Sequence, residues 1–370
     1  MRLLAVAGDV QALITHIRLR TPLQALAQNS ADTLSLRSMR DCTAHDLAAA
    51  DVLIVQRGLT RRAWRLQRQM RLLGKAVIYE IDDLLTDVPS HISNHARIRQ
   101  AQPWLRRCLA ECDLVTVSTD RLAQALALPA GQAVHVVPNC AWPAEPWPPL
   151  ACQQGQAVTL LLASMEHLST DFIHAALRAV QGPGVRVVAV GPPAAGLAAA
   201  GVDVQVQGLL PREDFLTFAR SLPNPVAVIP LEASRFAACK SAIKWFEYAG
   251  AGIPVLCSNV PPYADVVRQG LTGELVDNTS EAWLLALRGA VTDAGWRARV
   301  AAAAQADVQL RFSLAHTVAA WRQAIHLAIE QRAQLRLEAP TWVERLQLRG
   351  WSIVDAVARQ ARLFKRQRRG

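Results

Sequence analysis

The sequence predicts an α/β protein with two doubly wound domains, each built on a parallel sheet with helices on both faces. Apolar, β-branched runs alternate with helical patterns through most of the chain, as expected for strands that are buried on both faces. A proline-rich stretch interrupts this alternation once, and the alternation then starts again. The 370 residues also exceed what one hydrophobic core usually supports, which favours two domains.

The strands of the first domain are predicted at the apolar runs 3–7, 52–56, 76–81, 114–118 and 134–137. A helix is predicted from Pro22 to about Gln28, because Thr21 can cap it and a proline suits its first turn. Regular structure is expected to stop between Cys140 and Pro149, where four prolines occur. The strands of the second domain are predicted at residues 158–163, 185–190, 226–230, 254–257 and 274–276.

These elements divide the chain at residue 142. The first domain is predicted to span 1–142 and the second 143–310, followed by a helix over 311–330 that returns toward the first domain and a basic amphipathic tail over 331–370. Ligands of open parallel sheets bind beyond the carboxyl ends of the strands. Two such domains facing each other are therefore expected to form a cleft that takes one substrate from each side.

The net charge of +10 is concentrated near the C-terminus. Residues 331–370 contain ten Lys or Arg against three acidic residues, so the first 330 residues carry only about +3. This distribution excludes a uniformly basic nucleic-acid-binding domain, and no specific nucleic-acid partner is expected.

The cysteines and apolar runs favour a protein of the reducing cytoplasm. The seven cysteines are scattered and lack the spacing of a disulfide framework or a zinc site. The apolar N-terminus is too short for a signal sequence, and no apolar run is long enough to predict a transmembrane helix. A GxGxxG fingerprint, a P-loop and a nucleophile elbow are also missing, which argues against dehydrogenases, kinases and hydrolases.

The segment 230–255 carries the most informative pattern of polar residues. A helix is predicted to begin near Ser241. Lys240, Lys244 and Glu247 are spaced by four and three residues, which places them on one face near the N-terminus of this helix. Two cations beside helix N–H groups suit a diphosphate, and a carboxylate one turn further suits the two hydroxyls of a ribose. The alternative is a surface helix with a Lys–Glu pair.

The same segment resembles the donor-site signature of the group-1, retaining GT-B glycosyltransferases. In that signature, a helix with a glutamate is followed by Tyr-Ala, a small-residue pair and Gly-Ile-Pro-Val, as in residues 247–255 here. The order continues with Pro261-Pro262-Tyr263, residues 270–276 and Trp283, so the match covers about residues 226–315. Weaker similarities extend it over most of residues 1–330, at 17–23, 55–57, 79–84, 118–119 and 136–139.

The resemblance implies a GT-B fold, with two Rossmann-like domains facing a cleft, and transfer of a hexosyl group with retention. The donor would be a nucleotide-diphosphate-sugar, which is a substrate, and neither a cofactor nor a metal is expected. The acceptor is left open among glycans, lipid-linked molecules and proteins. The implied donor-binding residues are Cys239, Lys240, Ser241, Lys244, Glu247 and Tyr248.

Two departures from the family pattern affect the donor site. The family's first glutamate, eight positions before Glu247, is replaced by Cys239, so the carboxylate that commonly contacts the donor sugar is missing. A Gly-rich diphosphate segment with Arg and Lys is also missing, and residues 164–172 stand in its place. There His167 follows a predicted strand, where it is expected to touch the donor phosphates or sugar.

Candidate catalytic groups of the first domain follow its third predicted strand, at residues 76–81. Asp82 and Asp83 end a strand, where they either meet an acceptor hydroxyl or cap a helix. His91 and His95 come in the loop beyond, as proton-transfer groups or as solvated loop histidines.

Three arginines are candidates for the acceptor side. Arg18 and Arg20 lie in the first strand-to-helix connection, and Arg57 follows a later strand in the same way. Positions after strand ends suit ligand contacts. Simple surface charge is the alternative for Arg18 and Arg20, and the signal at Arg57 is weak.

The tail over 331–370 is expected to form a basic amphipathic helix. Basic residues surround an approximate apolar stripe. The stripe is formed by Leu346, Ile353, Val354, Val357, Ala361 and Phe364. Such a helix suits an anionic membrane surface, which would make the protein peripheral on the inner face of the membrane. The alternative is a helix packed on the first domain.

Two other functions remain open on the sequence alone. A nucleotide-sugar epimerase could share the double fold and would need no acceptor. A catalytically silent nucleotide-binding protein is favoured by Cys239 in place of the first carboxylate.

Overall fold

A computed structural model describes residues 1–92, 94–141, 147–150, 155–165 and 171–335. This part of the chain divides into two compact units. The first contains residues 1–88, 94–137 and 318–335, and the second contains 89–92 and the described residues from 138 to 317. No helix in the described ranges is both long and apolar enough to cross a membrane.

Each unit is built on a six-stranded sheet in which every neighbouring pair is parallel. The first sheet has the order β2-β1-β3-β4-β5-β6, with β1 Arg2–Ala7, β2 Thr33–Ser38, β3 Val52–Gln56, β4 Ala76–Ile81, β5 Leu114–Val117 and β6 Val134–Val136. The second has the order β12-β11-β10-β7-β8-β9, with β7 Val158–Ala163, β8 Val185–Val190, β9 Val204–Gln207, β10 Pro225–Ile229, β11 Val255–Ser258 and β12 Glu274–Val276.

The helices of the first unit connect these strands. They are α1 Leu13–Thr15, a π-helix His16–Arg20, α2 Thr21–Gln28, α3 Ala44–Ala49, α4 Arg61–Leu72, α5 His95–Ala110 and α6 Asp120–Ala125. The helices of the second unit follow, and the last helix, α15, continues into the first unit. They are α7 Asp171–Val180, α8 Pro193–Ala199, α9 Arg212–Ser221, α10 Arg235–Ala238, α11 Ile243–Gly250, α12 Tyr263–Val266, α13 Ser280–Thr292, α14 Ala294–Arg311 and α15 Leu314–Leu335.

The doubly wound α/β fold class predicted from the sequence is confirmed. The strand order of each sheet reverses once, between β1 and β3 in the first sheet and between β7 and β10 in the second. Such a reversal marks the place where ligands of doubly wound sheets bind. It therefore directs the search for a site to the loops after these strands.

Sequence reasoning missed two strands, β2 and β9. Both lie at a sheet edge, and both alternate apolar and polar residues, as Thr33–Ser38 and Val204–Gln207 do. The predicted strands were continuous apolar runs, a pattern that belongs to strands covered on both faces. An edge strand has more solvent contact and a weaker apolar signal.

The last described helix completes the core of the first unit. Trp321, Ala324, Ile325 and Ala328 of α15 are buried among residues of the first sheet and α2. The indole N–H of Trp321 donates to the carbonyl of Arg18 over 3.1 Å. The chain from residue 318 therefore belongs structurally with the N-terminal residues.

The Gly-Ile-Pro-Val segment that follows α11 has a structural role. Gly252 has φ of +69°, in the left-handed region, and its N–H donates to the carbonyl of Ala249 while that of Ile253 donates to Tyr248. These two bonds form a Schellman motif, which satisfies the last carbonyls of the helix and turns the chain into β11. The glycine is required because other residues adopt this conformation at a cost.

We expect opposite effects from adding one methyl group at two glycines. Gly252→Ala should destabilise the protein by about 1–2 kcal/mol, because an alanine is strained at a left-handed position. The methyl itself fits there, since no heavy atom lies closer than 3.6 Å to it. Gly289→Ala, in the exposed interior of α13, should stabilise by about 1 kcal/mol. Urea unfolding measures both changes, and equal effects would contradict the described helix end.

Candidate functional site

The donor-side residues gather where the order of the second sheet reverses. Lys244 lies in the first turn of α11, and its Nζ donates to the carbonyl oxygen of Ala163, the last residue of β7, over 2.8 Å. This bond ties the beginning of the helix to the carboxyl end of a central strand. It holds the lysine at the position where doubly wound sheets bind ligands.

Glu247 is oriented by an arginine that sequence reasoning did not find. Its Oε1 accepts from Nε of Arg212 over 2.6 Å, and both side chains are less than 15% exposed, at 14% and 11%. Arg212 is the first residue of α9, far away in sequence. A charge-assisted hydrogen bond of this length fixes the direction of the carboxylate.

Hydrogen bonds among three strand ends fix the loop after β10. The backbone N–H of Leu231 donates to Oγ of Ser258 over 2.8 Å, and Nδ2 of Asn278 donates to the carbonyl of Leu231 over 2.8 Å. Oγ of Ser258 in turn donates to Oδ1 of Asn278 over 2.7 Å. The loop that leads into α10 and α11 is thus held to the ends of β11 and β12.

The helix does not begin where the sequence suggested. It starts at Ile243, and Lys240 lies in the connection between α10 and α11. The expectation that Lys240, Lys244 and Glu247 share one helical face is therefore wrong for Lys240. Its Nζ lies 4.8 Å from the ring centre of Phe236, in cation–π geometry. Ser241 is half-buried in the same connection.

Two implied donor-binding side chains lie in the interior. Cys239 is only 3% exposed, and Tyr248 is 2% exposed in the core beside the ring of Phe215. Burial, followed by the nearby charge of Glu247, raises the pKa of the Tyr248 phenol. The structure gives both side chains a packing role. His167, the remaining predicted site residue of the second domain, lies outside the described residues.

The first unit carries a cluster of charges at the carboxyl ends of β3 and β4. Arg57 holds Asp82 through two hydrogen bonds, from Nε to Oδ1 and from Nη2 to Oδ2, and Nη2 also donates to Asp83 over 2.7 Å. Arg57 has φ of +45°, an uncommon conformation for a non-glycine residue. Burial raises the pKa of Asp82, but the charge and hydrogen bond of Arg57 outweigh it, and the pKa lies below the ordinary value.

A second, fully buried ion pair lies beside this cluster. Nε of Arg18 in the π-helix donates to Oε1 of Glu80 over 2.7 Å, and Nη1 donates to the carbonyl of Val137 over 2.6 Å. Arg18 is 1% exposed, so it is neither a surface charge nor available to an acceptor in this structure. Burial raises the pKa of Glu80, against the lowering by Arg18.

The remaining predicted site residues of the first domain are Arg20, His91 and His95. Nη2 of Arg20 donates to the carbonyl of Val10 over 3.0 Å. His91 is exposed, and His95 is half-buried as the first residue of α5. None of these contacts distinguishes a catalytic role from a structural one, so the roles of the histidines and of Arg20 stay predictions.

No protein-family model and no curated protein sequence matches the chain significantly. Solved structures do match it. The sucrose-phosphate synthase of Thermosynechococcus elongatus gives a TM-score of 0.63 at 13% identity, over 87% of this chain and 98% of that one. HepE of Anabaena, in complex with UDP-glucose, gives a TM-score of 0.58 at 14% identity, over 88% of this chain and 99% of that one. A putative UDP-N-acetylglucosamine 2-epimerase of Listeria monocytogenes gives a TM-score of 0.52 at 13% identity, over 92% of this chain and 98% of that one.

These similarities concern the architecture. The chain has the GT-B fold, with two Rossmann-like domains, as the sequence predicted. At such low identity a shared fold does not transfer an activity, because unrelated functions use the same fold.

The buried pair predicts a specific pattern of stability. Glu80→Leu should cost about 3–5 kcal/mol, because it removes the carboxylate that pairs with the fully buried guanidinium of Arg18. Adding Arg18→Met to that variant should recover part of the loss, since the charge that lacks a partner is then gone.

A double-mutant cycle by urea unfolding measures this coupling. The control is the exposed pair of Arg2 and Asp51, whose side chains are 60% and 39% exposed, so Arg2→Met should leave the stability almost unchanged. Additive losses for Arg18 and Glu80 would contradict the ion pair.

Proposed function

We propose that this protein is a glycosyltransferase that takes a sugar from a nucleotide-diphosphate-sugar. The observation that carries the proposal is Glu247, oriented by Arg212 at the carboxyl edge of the second sheet, one turn after Lys244. The fold agrees with it, because the solved neighbours with this fold include a sucrose-phosphate synthase and a protein bound to UDP-glucose.

In this proposal Glu247 binds the ribose of the donor. Arg212 engages Oε1, and the second carboxylate oxygen accepts from the ribose hydroxyls, because a carboxylate accepts several hydrogen bonds at once. Lys244, Lys240 and the N–H groups at the start of α11 meet the diphosphate. An ammonium group has three donors, so the bond of Lys244 to Ala163 is compatible with this role.

Catalysis then depends on positioning and electrostatics. The sugar moves to an acceptor oxygen as the bond to the diphosphate breaks, and the two lysines stabilise the charge that develops on the leaving group. Asp82 and Asp83 are proposed for the acceptor side. Retention at the anomeric carbon and independence of metals follow from the family resemblance and belong to the proposal.

The acceptor side is also proposed to involve a membrane. The basic amphipathic tail over 331–370 would hold the protein on an anionic surface, where a lipid-linked acceptor is available. Residues 336–370 lie outside the described ranges, so this proposal rests on the sequence pattern.

Two alternatives differ in what they do with the donor. An epimerase is favoured by the Listeria monocytogenes neighbour, and a silent binding protein by Cys239 in place of a carboxylate. NMR of UDP-glucose and UDP-N-acetylglucosamine incubated with the protein separates these functions. An epimer formed without an acceptor indicates an epimerase. Binding without hydrolysis or transfer indicates a silent binding protein. Slow hydrolysis that releases the α-anomer of the sugar first is the result expected of a retaining transferase.

Glu247→Ala should weaken binding of UDP by about 1.5–3 kcal/mol, because a charge-assisted hydrogen bond to the ribose is lost. Isothermal titration calorimetry measures the change. Glu330→Gln, at an exposed position of α15, is the control that removes one negative charge elsewhere and should leave binding unaltered. Unchanged affinity of the Glu247 variant, with the fold intact by circular dichroism, would exclude the ribose role.

A further inference from the structure

Helices α4 and α5 concentrate positive charge on the first unit. Five arginines lie in α4, at 61, 62, 65, 68 and 71, and four in α5, at 97, 99, 106 and 107, while neither helix contains an acidic residue. The first 330 residues together carry only about +3. The charge outside the tail is therefore strongly segregated onto these two helices.

Only part of this charge has an evident structural role. Arg62 donates to the carbonyls of Met39 and Cys42, and Arg71 donates to the carbonyl of Glu111. These bonds tie α4 to its surroundings. The arginines of α5, by contrast, are all exposed.

Two tryptophans join the helices and organise the arginines. The rings of Trp64 and Trp104 lie 5.9 Å apart between centres, inclined by 42°. The guanidinium of Arg107 lies 5.7 Å from the first ring and 5.1 Å from the second, and that of Arg68 lies 5.5 Å from Trp64. Arg61 shares their helix face, since it precedes Trp64 by three residues. We call this surface the arginine–tryptophan face.

Stacking on an aromatic ring restricts a guanidinium before any ligand binds. A restricted guanidinium loses less conformational entropy on binding, and its planar set of donors matches the oxygens of a phosphate. The same stacking covers the rings, which are half-buried, so they offer little area on which nucleic-acid bases could stack. The face suits an array of phosphates better than single-stranded nucleic acid.

The end of the last described helix, α15, lies beside α4 and therefore also near the arginines. Nη2 of Arg332, near the end of α15, donates to the carbonyl of Arg71 in the last turn of α4. The described chain ends three residues later, at Leu335, and the sequence continues with nine more Lys or Arg, from Arg336 to Arg369. The end of α15, which precedes these basic residues in the sequence, thus lies beside the last turn of α4.

We propose that the arginine–tryptophan face docks on an anionic phospholipid surface, with its arginines bound to headgroup phosphates. This surface belongs to the folded domain and acts independently of the tail and of the identity of the donor. The attraction is electrostatic, so it weakens as salt screens the charges.

The test compares two full-length variants of equal net charge. Arg61→Gln/Arg107→Gln removes two exposed charges from the face, and Arg288→Gln/Arg299→Gln removes two exposed charges from α13 and α14 of the second unit. Sedimentation with phosphatidylcholine vesicles containing phosphatidylglycerol measures binding at low salt. The first variant should bind about thirty-fold more weakly than wild type, about fivefold for each arginine. The control should bind within about twofold of wild type.

Three outcomes would overturn the proposal. The first is equal binding of the two variants, which leaves the tail as the membrane anchor. The second is wild-type protein that ignores anionic vesicles at low salt. The third is wild-type protein that binds a single-stranded oligonucleotide through Arg61 and Arg107 and does not bind vesicles. Circular dichroism and thermal melting of each variant ensure that lost binding does not reflect unfolding, and UDP affinity tests the donor site separately.

Discussion

The parallel direction of every strand is the constraint on which the rest of the structure depends. Each strand must be followed by a helix that returns the chain, so all strands of a sheet end at the same edge. That edge brings Gln56, Ile81 and Val117 together in the first unit, and Ala163, Ile229 and Ser258 in the second. Polar residues that are distant in sequence therefore meet there, while the strands themselves are free to be apolar.

Arginine–carboxylate pairs recur at these edges. Arg57 holds Asp82 and Asp83, Arg18 holds Glu80, and Arg212 holds Glu247. A carboxylate in such a place would otherwise be partly desolvated without compensation, which is costly. The pairing offsets part of this cost and fixes the direction of the carboxylate, and a fixed acceptor loses less on binding a hydroxyl. The fully buried pair of Arg18 and Glu80 differs, because no ligand reaches it and its role is to hold the π-helix against β4.

The sequence allowed the central strands to be predicted almost residue by residue, since strands buried on both faces are continuous apolar runs. The edge strands β2 and β9 lacked that signal. Within the candidate site, Glu247 and Lys244 were found from their spacing along one helix, a local property. Arg212 could not be found in this way, because its partner lies 35 residues away and the contact exists only in the fold. The same holds for Arg18, whose burial depends on Trp321 and Glu80, both far along the chain.

The proposed docking face and the proposed acceptor side are neighbours along the chain, which bears on the acceptor. Arg57 directly follows β3, and α4 begins four residues later at Arg61. Between them, Gly58 is packed among Val55, Ala63 and Tyr79. A methyl group on Gly58 would lie within 3.1 Å of all three side chains, so this turn is tight and holds the start of α4 against the sheet. The first arginine of the docking face is therefore rigidly connected to the cluster of Arg57, Asp82 and Asp83. A protein held on headgroup phosphates by α4 and α5 would therefore hold that cluster in a fixed orientation to the lipid surface, which constrains the direction from which an acceptor reaches it.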